Sequence, residues 1–508
     1  MAATAVDPCE DLCLSVGDHV RIRQTRQVLE RAGYNRSGVM ELLGDDSWTK
    51  GLGIERADVP RFSRRCRNGS PLETFVRLFL LGMQVGAEEF RRAVAPTTLD
   101  NWAELGLIEA EEAEVLRRLE IFPYEGLLLA HPRRSLGLRE PVMKVAPDSH
   151  HTWTLAQMTV RRPGGIALDL GSGSGLHSLL AAAHSRLVIG VDCNPHALNL
   201  AEFNAQLNGL DSVEFREGSF FEPVAEETFD LIVSNPPYVI SPEHVGVYRD
   251  SGLPGDLVCQ QIVQNLPRFL RPDGYAHVVI NWAHITGEDP EERLRSWVAG
   301  SGCDAWTLRF NTAEPAEYAT LWVPKPEDGD WPAFQRRFNA WMDYYESERI
   351  EAISYGLISL HRRPGARNWF ACEDAPDLVG PCGPAVEQVF HRRTFLNMLP
   401  DDQALLALRV RVAADVSLEQ KAEFDEGKWA FTGARMQLAK GLKYGLEADR
   451  NVIAFVEHCR GDRPLGAVLT ELAEALDTGR EEVISAGLEL ARLLLIQGLL
   501  ETVPQETA

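Results

Sequence analysis

The chain has 508 residues, of which 45% are hydrophobic and 25% charged, with a formal net charge of -23. That length is too great for one ordinary core and implies roughly two to four domains. The acidic balance works against a large nucleic-acid footprint, which needs clustered Lys and Arg.

The nine cysteines are scattered, odd in number and form no C-x-x-C pair. This argues against a disulfide framework or a zinc ribbon and for a reducing compartment. The first residues, MAATAVDPCEDLCLSVGDHV, carry acidic groups where a signal peptide has basic ones. No apolar run reaches the roughly 18 residues of a spanning helix. The expectation is a soluble, cytoplasmic protein with no membrane partner.

In chain order, HVRIRQTRQVLERAG and PLETFVRLFLLGMQVGAEEFRRAV place apolar residues at helical spacing. TLDNWAELGLIE and the strand-like YEGLLLAHP follow. Residues 1–145 therefore read as a helical N-terminal domain, with an element order that suits a winged helix. From Gly165 the pattern becomes an alternation: IALDL, LVIGVD, VEFREG, FDLIVS and YAHVVI as strands, with HSLLAAAHS, PHALNLAEFNAQLNG and LVCQQIVQNLPRFLRPDG as helices between them. That is the rhythm of a parallel sheet with helices on both faces, an α/β, Rossmann-like class. RLRSWVAGSG, AWTLRF and ATLWVP add a helix and two closing strands, so the core is read as 146–325, with PKPEDGDWP as its boundary. Residues 326–370 are a helix and strand extension (FQRRFNAWMDYYESERI, ISYGLISLHRR), and 371–508 a helical, winged-helix-like C-terminal domain built on three closely linked helices.

The segment LDLGSGSGLHS puts Asp169 at a strand end and Gly171, Gly173 and Gly175 in the turn that opens a helix. Such glycines let the backbone approach a ligand, and the helix N-terminus adds free N–H groups and partial positive charge. At the end of the next strand, Asp192 is placed to grip two ribose hydroxyls. The dinucleotide fingerprint is G-x-G-x-x-G, whereas this loop is G-x-G-x-G preceded by Asp. A carboxylate there repels a pyrophosphate and attracts an amino group, which S-adenosylmethionine has. After the third strand, Ser219 and Phe220 stand where the adenine of such a cofactor would lie.

The fourth strand ends in Asn235-Pro236-Pro237-Tyr238. Proline fixes its own φ and restricts the residue before it, so Asn235 is held extended. The Asn235 side-chain oxygen and the Pro236 carbonyl can both accept from one NH₂ group, and Tyr238 offers a face for a planar substrate. Acceptors that draw those hydrogens out of plane turn the nitrogen lone pair toward a methyl donor. Positioning and electrostatics then carry the rate without a strong base or a metal.

On these two motifs, residues 165 to 325 resemble the class I S-adenosylmethionine-dependent methyltransferases, in the subgroup with an Asn-Pro-Pro-Tyr motif. That subgroup includes the release-factor glutamine N-methyltransferases and the adenine- and guanine-N-methylating enzymes of RNA and DNA. The resemblance implies a seven-stranded sheet with its last strand antiparallel. It also implies that Asp169, Gly171, Gly173 and Gly175 hold the methionine end of the cofactor, Asp192 the ribose, Ser219 and Phe220 the adenine, and Asn235, Pro236 and Tyr238 the accepting nitrogen.

Two stretches depart from that pattern. His150 and His151 stand on a segment ahead of the core where such enzymes often carry a closing loop, either as surface histidines or as a substrate contact or proton acceptor. Glu243, Asp250 and Asp256 lie on a Gly- and Pro-rich loop after the motif; turned inward they would suit a guanidinium. The leading expectation is N-methylation of a planar nitrogen, a glutamine-type amide first and a guanidino or other metabolite nitrogen next. Nucleobase N-methylation and a non-catalytic, cofactor-sensing regulator are the other readings.

Overall fold

In the computed structural model, residues 14–44, 54, 57–132, 150–243, 252–326, 329–365, 367–425 and 427–504 are described. They fall into two units, one of residues 1–156, 162–301 and 307–362, the other of 157–161, 302–306 and 363–508.

The first unit opens with helices α1 (His19–Arg31) and α2 (Arg36–Leu43), whose N-termini are capped by the side chains of Asp18 and Asn35. After Pro71–Phe75 and the wider turn Val76–Leu80 come α3 (Ala87–Val94) and α4 (Leu99–Glu104). Phe75, Phe79, Phe90 and Trp102 pack around one another, with ring centroids 5.6–6.3 Å apart. The strand Val85–Gly86 joins β1 (Ile108–Ala110) and β2 (Glu114–Arg117) in a small antiparallel sheet. The helical run expected through residues 71–94 is thus interrupted by a strand, and β1 and β2 were not anticipated.

A hairpin follows, β3 (Leu119–Tyr124) and β4 (Leu127–Pro132). Its two-residue turn, Glu125-Gly126, has positive φ at both positions, as a hairpin matched to right-handed strand twist requires.

Helix α5 (His150–Met158) leads to the main sheet, built from β5 (Ile166–Leu170), α6 (Leu176–Ala182), β6 (Leu187–Asp192), α7 (Pro195–Leu207), β7 (Val213–Glu217) and β8 (Phe229–Ser234). It continues with α8 (Leu257–Phe269), β9 (Leu270–Ile285), α9 (Pro290–Val298), β10 (Cys303–Ala313), α10 (Pro315–Trp322), α11 (Trp331–Ser347) and β11 (Ile350–Arg362). These seven strands belong to an eight-stranded sheet and lie in it in the order β10-β11-β9-β8-β5-β6-β7. The pairs from β9 through β7 are parallel, and β11 runs antiparallel to β9. The order reverses beside β5, so the crevice outside the carboxyl ends of β5 and β8 is the topological switch point.

The expected antiparallel closing strand is present but is not ATLWVP. Those residues lie in and just after α10, which Pro315 opens at its first turn. The strand is instead Ile350–Arg362, and the first unit therefore extends past 325 to Arg362.

The N-terminal elements and the sheet share one hydrophobic core that runs from Ile22 and Leu29 to Leu200, Phe203 and Leu207 of α7. Asparagines on α7 complete the join. Asn204 and Asn208 each exchange two hydrogen bonds with the backbone of β4, at Ala130 and Leu128, over 2.7–2.9 Å. Positions i and i+4 on a helix are about 6 Å apart along the axis, close to the roughly 6.7 Å between i and i+2 on a strand, so the two amides meet the strand in register. Asn199 makes the same reciprocal pair with Leu14.

In the second unit, Trp306 and Tyr444 donate to Glu373 at 2.8 Å, and Arg393 pairs with the same carboxylate. The three expected helices are present as Arg450–His458, Leu465–Ala475 and Arg480–Gln497. The unit is not all-helical, however. It contains the helix Gly383–Met398, the hairpin Val416–Asp425 with Lys428–Leu438, and a three-stranded sheet of Arg409–Val412, Arg460–Pro464 and Leu500–Val503.

Candidate active site

The glycine loop leaves β5 at the switch point. Gly171, Gly173 and Gly175 have φ of +77°, +53° and +85°, which side-chain-bearing residues rarely adopt. A Cβ built on Gly171 or Gly173 would meet no atom within 4 Å, so these two face open space. Gly175 serves packing instead: a Cβ there would come within 3.0 Å of the Ala201 methyl on α7.

Asp169 is fully buried just before the loop. Its Oδ2 accepts from the Ser178 amide at 2.8 Å and the Ser178 hydroxyl at 2.6 Å, while Oδ1 has no partner among the described residues. Burial pushes the carboxyl from 3.8 up to about 7, against the pull of the two Ser178 bonds. An unpaired buried carboxylate oxygen beside an open cradle is what a ligand ammonium would satisfy. Asp192, at the end of β6, accepts from the Gly173 amide at 2.8 Å and the Asn194 amide at 2.9 Å, which fixes its carboxylate beside the loop. Burial raises its pKa too.

Past β7, Gly218 donates to the Asp192 carbonyl at 3.1 Å and swings the chain outward. Phe220 sits at φ +47° and is 38% exposed, and Ser219 is exposed. Phe221, not Phe220, packs inward, stacked on Phe269 at 4.3 Å.

Asn235 follows β8. Its amide nitrogen donates to Thr152 Oγ1 at 3.1 Å, and its Oδ1 is buried with no partner among the described residues. Tyr238 is buried, with its hydroxyl hydrogen-bonded to His151 Nδ1. The His151 ring in turn stacks on Tyr355 of β11, with centroids 4.0 Å apart and planes at 20°. Trp322 stands edge-on to Tyr238 at 6.3 Å. Desolvation first, then the neighbouring Tyr355, Tyr318 and Cys259, hold the Tyr238 phenol well above its ordinary pKa, so the hydroxyl keeps its proton.

The remaining expectations fare differently. His150 and His151 begin helix α5 rather than lie on a loop; the His150 side chain and all of Asp250 are outside the described residues. Glu243 is taken up by Arg337 of α11 in a bidentate pair, both distances 2.7 Å. Asp256 is buried, pairs with Arg293 at 2.7 Å and accepts from the Ala283 amide at 3.0 Å. Neither carboxylate is left for a guanidinium, because each already neutralises an arginine of its own fold. Thr152, Ser178 and Tyr355 were not anticipated; the nearest sequence signal is that Thr152 directly follows the two histidines.

Residues 162–298 match the family model described as a methyltransferase domain. The matched segment runs from just before β5 through α9 and so includes both the glycine loop and Asn235. Residues 31–118 and 387–502 match two families described as domains of unknown function (DUF7059 and DUF7782).

Among curated proteins, the release factor glutamine methyltransferase of Geobacter sulfurreducens is 37% identical over 178 residues, covering 32% of this chain and 60% of that one. The same-named protein of Aliivibrio fischeri is 49% identical over 75 residues, 14% of this chain and 26% of that one. The ribosomal protein uL3 glutamine methyltransferase of Bradyrhizobium diazoefficiens is 37% identical over 120 residues, 21% and 38% of the two chains. The chain thus spans less than two thirds of each of these relatives. Among the described residues no helix is long and apolar enough to cross a membrane, and no group of His, Cys, Asp and Glu could hold a metal.

Proposed function

We propose that the protein is an N-methyltransferase acting on a planar nitrogen, with a glutamine-type amide of a protein substrate as the leading acceptor. The observation that carries this reading is Asn235: its NH₂ is tied back to Thr152, leaving a buried Oδ1 without a partner among the described residues, at the switch point beside the glycine loop. A buried acceptor of that kind calls for a donor, and a substrate NH₂ is one. Two of the three relatives above are named for release factors and the third for a ribosomal protein, which supports a protein amide as acceptor.

S-adenosylmethionine, when bound, supplies the electrophilic methyl group. Gly171 and Gly173 would give it room, Asp169 Oδ1 would pair with its amino group, Asp192 would hold its ribose, and Ser219 and Phe220 would receive its adenine. Asn235 Oδ1 and the Pro236 carbonyl accept the two N–H groups of the acceptor, and the Tyr238 ring fixes its plane. Their dipoles are in place before substrate arrives, so the nitrogen lone pair is oriented without reorganisation of the site. A seat in a reducing cytosol fits the cysteines described in the structure, all of them free.

The deciding experiment is mass spectrometry after incubation with S-adenosylmethionine and a panel holding a glutamine-bearing peptide, free arginine, and short RNA and DNA. A gain of one methyl on the glutamine side chain supports the proposal. Methylation of nucleic acid alone would replace it with the nucleobase reading. Cofactor binding with no methyl transfer to any member would favour a sensing role.

A further inference from the structure

We propose that His151 and Thr152, consecutive residues at the start of α5, are positioning residues that together set both acceptor-binding side chains; the proposal rests on the reading of Asn235 and Tyr238 given above. An asparagine amide can rotate by half a turn and present NH₂ instead of oxygen to the same ligand. In the structure Thr152 Oγ1 accepts from Asn235 Nδ2, which leaves Oδ1 as the atom presented to the site. A Tyr ring can likewise pivot about its χ angles. His151 Nδ1 holds the Tyr238 hydroxyl, and the imidazole is itself held flat against Tyr355, 4.0 Å away.

Tyr355 comes from the antiparallel strand β11, opposite Asn281 of β9, so the chain of contacts from Tyr238 ends on the sheet itself. The two clamping residues are adjacent in sequence, yet they point to side chains three positions apart around two prolines. Any displacement of α5 would therefore disturb the amide and the ring together. Neither residue needs to touch the methyl donor, so their loss should appear in turnover and not in cofactor affinity.

The test compares Thr152→Val with Thr152→Ser, and His151→Phe with His151→Asn, in the full chain. Val keeps the shape of Thr without a hydroxyl, and Ser restores the hydroxyl. Phe keeps a ring to stack on Tyr355 without a nitrogen, and Asn places an acceptor where Nδ1 stands. Turnover is measured on whichever panel member the wild type methylates, and S-adenosylhomocysteine affinity by calorimetry.

Thr152→Val and His151→Phe should each lower kcat by about 10-fold or more while the S-adenosylhomocysteine Kd stays within about twofold, and Ser and Asn should recover most of the loss. Wild-type kcat in Thr152→Val and His151→Phe, or losses that Ser and Asn do not relieve, would overturn the proposal. If the wild type methylates only a non-glutamine member, the amide reading falls and the same four variants still decide the clamp. If it methylates none, the ¹⁵N resonance of His151 Nδ1 decides: it should move on Tyr238→Phe, and an unmoved resonance overturns the clamp.

Discussion

Replacing Asp169 by Asn separates the burden this carboxyl places on the fold from its use to the cofactor. Asp169 is fully buried, and burial lifts its carboxyl from 3.8 to about 7. Between those two values the folded protein holds a proton that the unfolded chain has released. Stability from this group is therefore full below about pH 4, declines as pH rises toward 7, and stays low above it. A displacement of that size corresponds to about 4 kcal/mol at pH 8.5 as an upper figure, since relaxation and water entry reduce it.

Asparagine keeps an oxygen to accept both Ser178 bonds and carries no charge to desolvate. Urea denaturation of the ligand-free protein should show wild type and Asp169→Asn nearly equal at about pH 4, with the variant roughly 2–4 kcal/mol more stable at pH 8.5. Calorimetry at pH 8.5 should show the opposite order for cofactor, weaker in the variant by about 10- to 100-fold, because a buried carboxylate–ammonium pair is lost. For the same reason wild-type cofactor affinity should rise as pH rises through about 7. A stability difference that is the same at both pH values, or unchanged cofactor affinity, would refute the assignment.

Asn235→Ala should reduce kcat by at least about 100-fold with cofactor Kd within about twofold, checked by steady-state kinetics and calorimetry. Asp192→Ala should do the reverse, raising cofactor Kd about 10-fold or more before turnover at saturation is affected. Gly173→Val should abolish cofactor binding in a titration, because its side chain would enter the open space in front of the loop and its φ of +53° would be strained. Asp256→Ala should destabilise the fold by about 2–4 kcal/mol in urea while leaving kcat and KM unchanged, since Arg293 and the Ala283 amide would lose their buried partner.

The sheet was readable because its strands are short apolar runs and its candidate site residues sit at strand ends, where spacing alone places them. Asp169, Asp192 and Asn235 all fall at carboxyl ends of parallel strands for that reason. What could not be read depends on contacts far apart in sequence. ATLWVP has the apolar content of a strand, but Pro315 starts a helix there and the seventh strand is supplied 35 residues later, from Ile350. Glu243 and Asp256 looked like free acids because Arg337 and Arg293 lie 94 and 37 positions away. The hairpin Val416–Leu438 mixes charged residues into both strands, which hides the alternation of a half-buried sheet.

The asparagines of α7 reach beyond holding two regions together. Asn204 also donates to the carbonyl of Ser174, inside the glycine loop, at 2.9 Å, from the same amide nitrogen that meets Ala130 on the N-terminal hairpin. One side chain therefore stands between the loop that would receive the cofactor and the N-terminal hairpin that follows residues 31–118. Linkage works in both directions: if a partner on the hairpin changes cofactor affinity, cofactor changes the affinity for that partner by the same factor. Cofactor affinity, measured with and without a candidate partner, is then the readout for that hairpin.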